Sequence, residues 1–170
     1  MLEIYIDRRK GVLYLTKKKM ERICEEIFKE AGIKAENIFV NINYITRKNM
    51  IKLNKKFNNL NHATNVLSFY PKAFDKKLLY KSNKTMNFYI GDICLCKDII
   101  VEEAKKLNIS PSERAVILFT HGMLHLCGFD HKTKEDDKKM YAIQDKVCAK
   151  FGIRDYYKYN IYDDTDEEES

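Results

Sequence analysis

Three of the chain's four histidines fall in one run of eleven residues, His121-Gly122-Met123-Leu124-His125-Leu126-Cys127-Gly128-Phe129-Asp130-His131. From position 115 to 127 the only exceptions to an apolar sequence are Thr120, His121, Gly122 and His125. Such a pattern predicts a helix buried on almost all sides. It is too short to cross a bilayer, which takes roughly 20 apolar residues. His121 and His125 are four apart, so on a helix they stack on one face and can aim both imidazoles at one ion. Gly128 stands where a helix ends in a left-handed residue, and the turn it allows brings His131 in from a loop as a third ligand. Three neutral imidazoles at about 2.0–2.1 Å, with a fourth position left open, describe a catalytic zinc site rather than a structural one. The alternative is three core histidines that only hydrogen-bond. It explains one buried histidine easily, but not three at ligand spacing around a helix stop.

The spacing H-x-x-x-H-x-x-G-x-x-H resembles that of the metzincin zinc peptidases, whose general-base glutamate follows the first histidine. Here that place is Gly122, so peptidase chemistry of that kind lacks its base. A mid-helix glycine costs about 1 kcal/mol against alanine, which implies that a packed strand or a substrate passes close to the backbone there. The whole run, read as H-G-x-L-H-L-x-G-x-D-H, resembles the signature of the YbeY family of single-strand-specific endoribonucleases, which act in ribosomal RNA maturation. Every fixed letter matches.

A second stretch carries the same resemblance. Leu53-Asn54-Lys55-Lys56-Phe57 and then Thr64-Asn65-Val66-Leu67-Ser68-Phe69 are similar to the family's L-N-x-x-[FY] and T-[DN]-V-L-S-F at the same spacing. Asn58 replaces the family's arginine, Asn61 its aspartate and Ala63 its proline. Arginine holds phosphate with two hydrogen bonds and neutralises transition-state charge, so its loss bears on catalysis. Lys55 and Lys56 are the nearby cations in sequence and are expected RNA contacts, although lysine lacks the bidentate fork. His62 is read as a loop surface residue, with an RNA contact or a fourth ligand as the alternatives. Gly91-Asp92-Ile93 resembles the family's G-D-I segment, which makes Asp92 a candidate for orienting water or meeting a ribosomal protein. Asp130 is a candidate for anchoring the ligand loop or orienting a ligand histidine. Gln144 stands where the family usually has glutamate.

The net charge of +6 conceals an asymmetry, because Asp163, Asp164, Asp166, Glu167, Glu168 and Glu169 place six negatives at the end and leave +12 on residues 1–162. A body so basic suits an anionic partner such as RNA, and a lysine-rich solvated surface is the plainer alternative. The five cysteines, an odd number with no secretory context, read as reduced thiols. Cys94 and Cys96 are expected in the core rather than on a metal, as is Cys127. No stretch has the order of a signal peptide or the length of a membrane span, which predicts a cytoplasmic protein.

The remaining pattern alternates strand and helix. Residues 2–6 and 37–45 alternate as strands. Thr16 caps a helix to Ala31 that turns Met20, Ile23, Ile27 and Phe28 inward and stops at Gly32. Thr46 caps a second helix carrying Met50, Leu53 and Phe57 inward. Residues 66–70 form a short strand, 72–87 a basic loop or hairpin tip, and 87–96 another strand. A helix over 98–107 follows, then a break at 108–111 with Ser112 as cap of the histidine helix, and a last helix over 134–151. The expected fold is α+β: a small mixed β-sheet with helices on its faces and, as the resemblance implies, a zincin-like metal helix. Residues 1–155 would be one domain and 156–170 a disordered acidic tail. The resemblance implies a metal-dependent endoribonuclease with one Zn2+ per chain at His121, His125 and His131. Its partners would be single-stranded ribosomal RNA and the small ribosomal subunit or its proteins, with no membrane. A non-catalytic ribosome-associated RNA-binding assembly factor, and a metal-dependent hydrolase of another substrate, are the alternatives.

Overall fold

In a computed structural model, which describes residues 2–6, 14–81 and 83–154, the strands assemble in the order β1-β2-β4-β3. They are β1 (Leu2–Ile6), β2 (Ala35–Ile45), β3 (Val66–Phe69) and β4 (Asn83–Cys96). β2 runs parallel to both β1 and β4, while β3 is antiparallel to β4 and forms an edge. The sheet is therefore mixed, as expected. β2 starts two residues, and β4 four residues, before the alternation suggests. The acidic tail at 156–170 lies outside the described residues, as do residues 7–13.

Five α-helices complete the described fold: α1 (Lys17–Ala31), α2 (Arg47–Asn58), α3 (Lys97–Leu107), α4 (Pro111–Leu126) and α5 (Lys134–Lys150). Thr16 and Thr46 accept from Lys19 N and Asn49 N as N-caps, and Gly32 ends α1 at φ +72°. The start of α4 differs from the expected one. Its cap is Ser110, not Ser112, because Pro111 occupies the first helical position and Glu113 closes a capping box onto the Ser110 backbone. A proline there forfeits only an amide that the helix would leave unpaired, so it opens the helix rather than breaking it. α2 differs too. Phe57 is 55 % exposed, and Asn54 is the buried residue beside Met50. The Asn54 amide donates to His62 O and its oxygen accepts from Asn58, tying down the loop that leads to β3.

α4 is buried from Arg114 to Leu124 and packs against α1, α3 and α5 on one side and β3 and β4 on the other. The close approach implied by Gly122 is this sheet. A Cβ at Gly122 would come within 3.0 Å of Ser68 Oγ and 3.3 Å of Ile93 and Val66 methyls, and Ser68 Oγ donates to Gly122 O at 3.0 Å. The missing side chain thus lets β3 lie directly along the histidine helix, one element on each side of a cleft. All five cysteines are buried and none is in a disulfide. Among the described residues no helix is long and apolar enough to cross a membrane.

Candidate metal centre

One turn of α4 separates His121 from His125, which puts their Nε2 atoms 3.0 Å apart. The helix then closes at Gly128, whose N–H bonds His125 O at 3.0 Å with φ +103°. That turn returns His131 until its Nε2 stands 3.3 Å from that of His121. The sequence-expected trio is therefore assembled, with a ligating atom from each ring within 4.8 Å of the others.

What distinguishes this from a packed histidine cluster is the far side of each ring. His121 Nδ1 faces Gln144 Oε1 at 3.0 Å, His125 Nδ1 faces Phe129 O at 3.0 Å, and His131 Nδ1 faces Asp137 Oδ1 at 2.5 Å. Each partner is an oxygen acceptor, so each Nδ1 carries the proton and each Nε2 presents a lone pair. Three lone pairs converging at this distance cannot hydrogen-bond one another. A cation among them satisfies all three, so the three histidines can hold a metal ion. Burial, reinforced by the neighbouring His125, pushes the pKa of His121 down to about 3, and burial followed by the charge of His131 lowers that of His125. The neutral form of these two rings is the form that ligates.

Neither Gln144 nor Asp137 stands out in the sequence as a partner of the trio. Gln144 is fully buried on the inward stripe of α5 with Met140 and Val147, so a polar residue among apolar positions was the available signal. Asp137 lies in the first turn of α5, where an acidic residue needs no further reason. These two side chains, with the Phe129 carbonyl, are what faces the Nδ1 atoms of the three rings, whereas Asp130 accepts from His131 N at 2.8 Å and pairs with Lys132 at 3.1 Å. Asp130 thus anchors the loop and sits in the cleft wall. Burial raises its pKa, but the His131 amide and Lys132 outweigh that and leave it lowered.

Gln144→Met is expected to keep the helix packed while removing the acceptor from His121 Nδ1. Metal affinity should fall about 10–100-fold, read by competition with a chelating dye, and Gln144→Glu should retain it. Equal affinity in the methionine variant would mean that the amide orients nothing.

The cleft holds about 320 Å³ and is walled by residues Thr64 to Ser68, Tyr70, Lys76, Phe129 and Asp130 around His121 and His125. Several expected site residues lie elsewhere. Ile93, the residue after Asp92 on β4, turns its side chain toward Gly122 of α4, so Asp92 points to the opposite face of the sheet. There its carboxylate accepts from the Tyr89 hydroxyl, which in turn accepts from Asn41 Nδ2 at 3.2 Å. Lys55 and Lys56 are exposed on α2 and line no part of the cleft, with Lys56 Nζ 5.2 Å from the Phe57 ring centroid. Asn58 donates to Asn54 Oδ1 at 2.8 Å, and His62 is exposed and outside the trio. Cys127 is fully buried in the core, as expected.

The family model described as endoribonuclease YbeY matches residues 5–152. Among curated proteins, the Endoribonuclease YbeY of Buchnera aphidicola subsp. Schizaphis graminum is 36 % identical over 126 residues, covering 74 % of this chain and 75 % of that protein. That of Buchnera aphidicola subsp. Baizongia pistaciae is 34 % identical over 123 residues, covering 72 % and 75 %. The Clostridium botulinum protein of the same name is 26 % identical over 165 residues, covering 89 % of this chain and 99 % of its own length. A Thermotoga maritima protein of known solution structure superimposes with a TM-score of 0.53 at 23 % identity over the full length of both chains, which shows a shared fold.

Proposed function

Since the chain belongs to the endoribonuclease YbeY family, we propose that it is a zinc-dependent endoribonuclease that cuts single-stranded RNA in the maturation and quality control of small-subunit ribosomal RNA in the cytoplasm. Membership supports a nuclease acting on RNA; the metal, the strand preference and the ribosomal substrate are our reading. The observation that carries it is the convergence of three Nε2 lone pairs, each fixed by an acceptor on its own Nδ1, with His121 and His125 of that trio lining a cleft.

His121, His125 and His131 would hold the ion. When bound, zinc supplies a Lewis acid and makes hydroxide available near neutral pH. The protein's own contribution is positional. Gln144, Phe129 O and Asp137 keep the three rings aimed, so little reorganisation is needed as charge develops on the phosphate. Asp130 is the carboxylate in the cleft wall, and its fixed oxygens suit it to orient a water or a ribose hydroxyl. Gly122 supplies no base and instead admits β3, whose residues border the path of the substrate. Asp92, on the opposite face of the sheet, would meet a ribosomal protein rather than the scissile bond, and Lys55 and Lys56 would meet RNA beyond the cleft. A cleft of about 320 Å³ suits a base splayed out of an unpaired strand better than a duplex.

Zinc-loaded protein should cleave a single-stranded RNA oligonucleotide, spare its duplex and a peptide mixture, stop on chelation, and recover when zinc returns. RNA bound with a steep salt dependence yet left intact would instead favour the non-catalytic assembly factor. Cleavage of the peptides alone would favour a hydrolase of another substrate.

A further inference from the structure

We propose that Lys76 is the cation that holds the RNA phosphate in this cleft; this rests on the nuclease reading above. Lys76 opens a short 3-10 turn, Lys76–Tyr80, capped by Asp75. The turn is seated on the C-terminal end of α4. Leu79 is fully buried, its carbonyl accepts from Lys34 N at 2.8 Å, and the Tyr80 hydroxyl donates to Cys127 O at 2.8 Å. From this seat the Lys76 stem lies over Gly128, where an added Cβ would come 3.4 Å from Lys76 Cδ. Its ammonium donates to His125 O at 3.2 Å and stands 3.6 Å from the Tyr70 ring centroid.

Those partners fix the position of the charge without neutralising it. A carbonyl and an aromatic face attract an ammonium, but neither carries a negative charge. Among the described residues no carboxylate comes within ion-pair distance of Lys76 Nζ; Asp130 in the cleft wall acts on it only at longer range and is itself paired with Lys132 and the His131 amide. An ammonium has three donors, and the His125 carbonyl takes one. Lys76 lines the cleft together with His121 and His125, so the donor capacity left over by His125 O and the Tyr70 ring is open to a group bound there. A held cation with spare donors, beside the centre where a phosphodiester would react, matches an anionic phosphate oxygen. Tyr70, 53 % exposed on the same wall, offers a ring to the neighbouring base.

A lysine that only caps α4 would have the same contacts, so the test must separate charge on RNA from charge on the helix. Lys76→Met keeps the stem and removes the ammonium, and Lys76→Arg keeps the charge. Each zinc-loaded variant would be titrated with a single-stranded RNA oligonucleotide across a salt series and assayed for cleavage, with zinc content and thermal midpoint measured alongside. The methionine variant should lose about 0.7 from the slope of log K against log salt, one phosphate contact on a single strand. Its kcat/KM should fall on the order of 100-fold, with zinc content unchanged, and arginine should restore the slope. An unaltered slope and rate in the methionine variant would overturn the assignment while leaving the nuclease reading intact. So would a loss of stability with a slope that arginine fails to restore, which is the signature of a cap. Wild-type protein that neither binds nor cuts single-stranded RNA would overturn both together.

Discussion

A His121→Ala variant is expected to fold, to purify without its metal, and to lose RNA cleavage by about 10³-fold or more, equivalent to roughly 4 kcal/mol of transition-state stabilisation. His121 is the ring that both others approach, at 3.0 and 3.3 Å, so its removal leaves two imidazoles with no third point to define the site. It is also the most buried of the three, 5 % exposed, and the fully buried Gln144 then loses the donor that its oxygen accepts. The substitution therefore strips the site rather than weakening it. Elemental analysis should find about one zinc per wild-type chain and background in the variant, with circular dichroism showing the helices retained. A variant that keeps an equimolar metal would place the ion somewhere other than the histidine trio.

The second large effect concerns stability. Arg114 is fully buried in the first turns of α4, and its Nε donates to Glu103 Oε2 of α3 at 2.7 Å. The same carboxylate accepts from Asn65 Nδ2 at 3.2 Å, and Asn65 O accepts from Cys96 N at 2.8 Å. This network joins α3 and α4 to the residue that leads into β3, and so to the cleft wall. Arg114→Met would leave Glu103, itself 9 % exposed, as a buried carboxylate without its cation. The expected loss is about 3–5 kcal/mol, because the cost is that of the orphaned charge rather than of the bond. Urea denaturation should show a lower midpoint at unchanged slope. Adding Glu103→Leu should recover most of the loss, since a well-packed apolar pair of similar volume is often as stable as a buried ion pair. A single-variant loss below about 1 kcal/mol would mean that water reaches the carboxylate.

The residues set these two predictions on different footings. The histidine centre was visible in the chain because its geometry is local: 3.6 residues per turn places His121 over His125, and a glycine stop three residues on returns the backbone for His131. The strands and caps were visible for the same reason, since alternation and capping are read within a few residues. Where two local signals competed, the choice could go wrong, as at Ser110 and Ser112, both next to Pro111. Phe57 was misplaced because its hydrophobicity says nothing of Asn54, which is itself buried and bonds the His62 carbonyl across the loop.

Asp92 shows the limit most clearly. Between β2 and β4 the register slips where Phe39 pairs with Tyr89 and Val40 with Gly91, leaving Ile90 unpaired. That bulge brings Tyr89 and Asp92 to one face, away from the histidines, although strict alternation would separate them.

By itself, then, the sequence determined the helix, the spacing of the histidine trio, the strands and the basic character of the body, all set by spacing or composition along the chain. Only the tertiary structure decided which acceptors hold the three rings, which carboxylate stands in the cleft, and that Lys76 rather than Lys55 or Lys56 lies beside the centre. Those choices depend on elements far apart in sequence meeting around α4. Packing and the need to satisfy buried polar groups select such partners, and neither leaves a periodic trace in the chain.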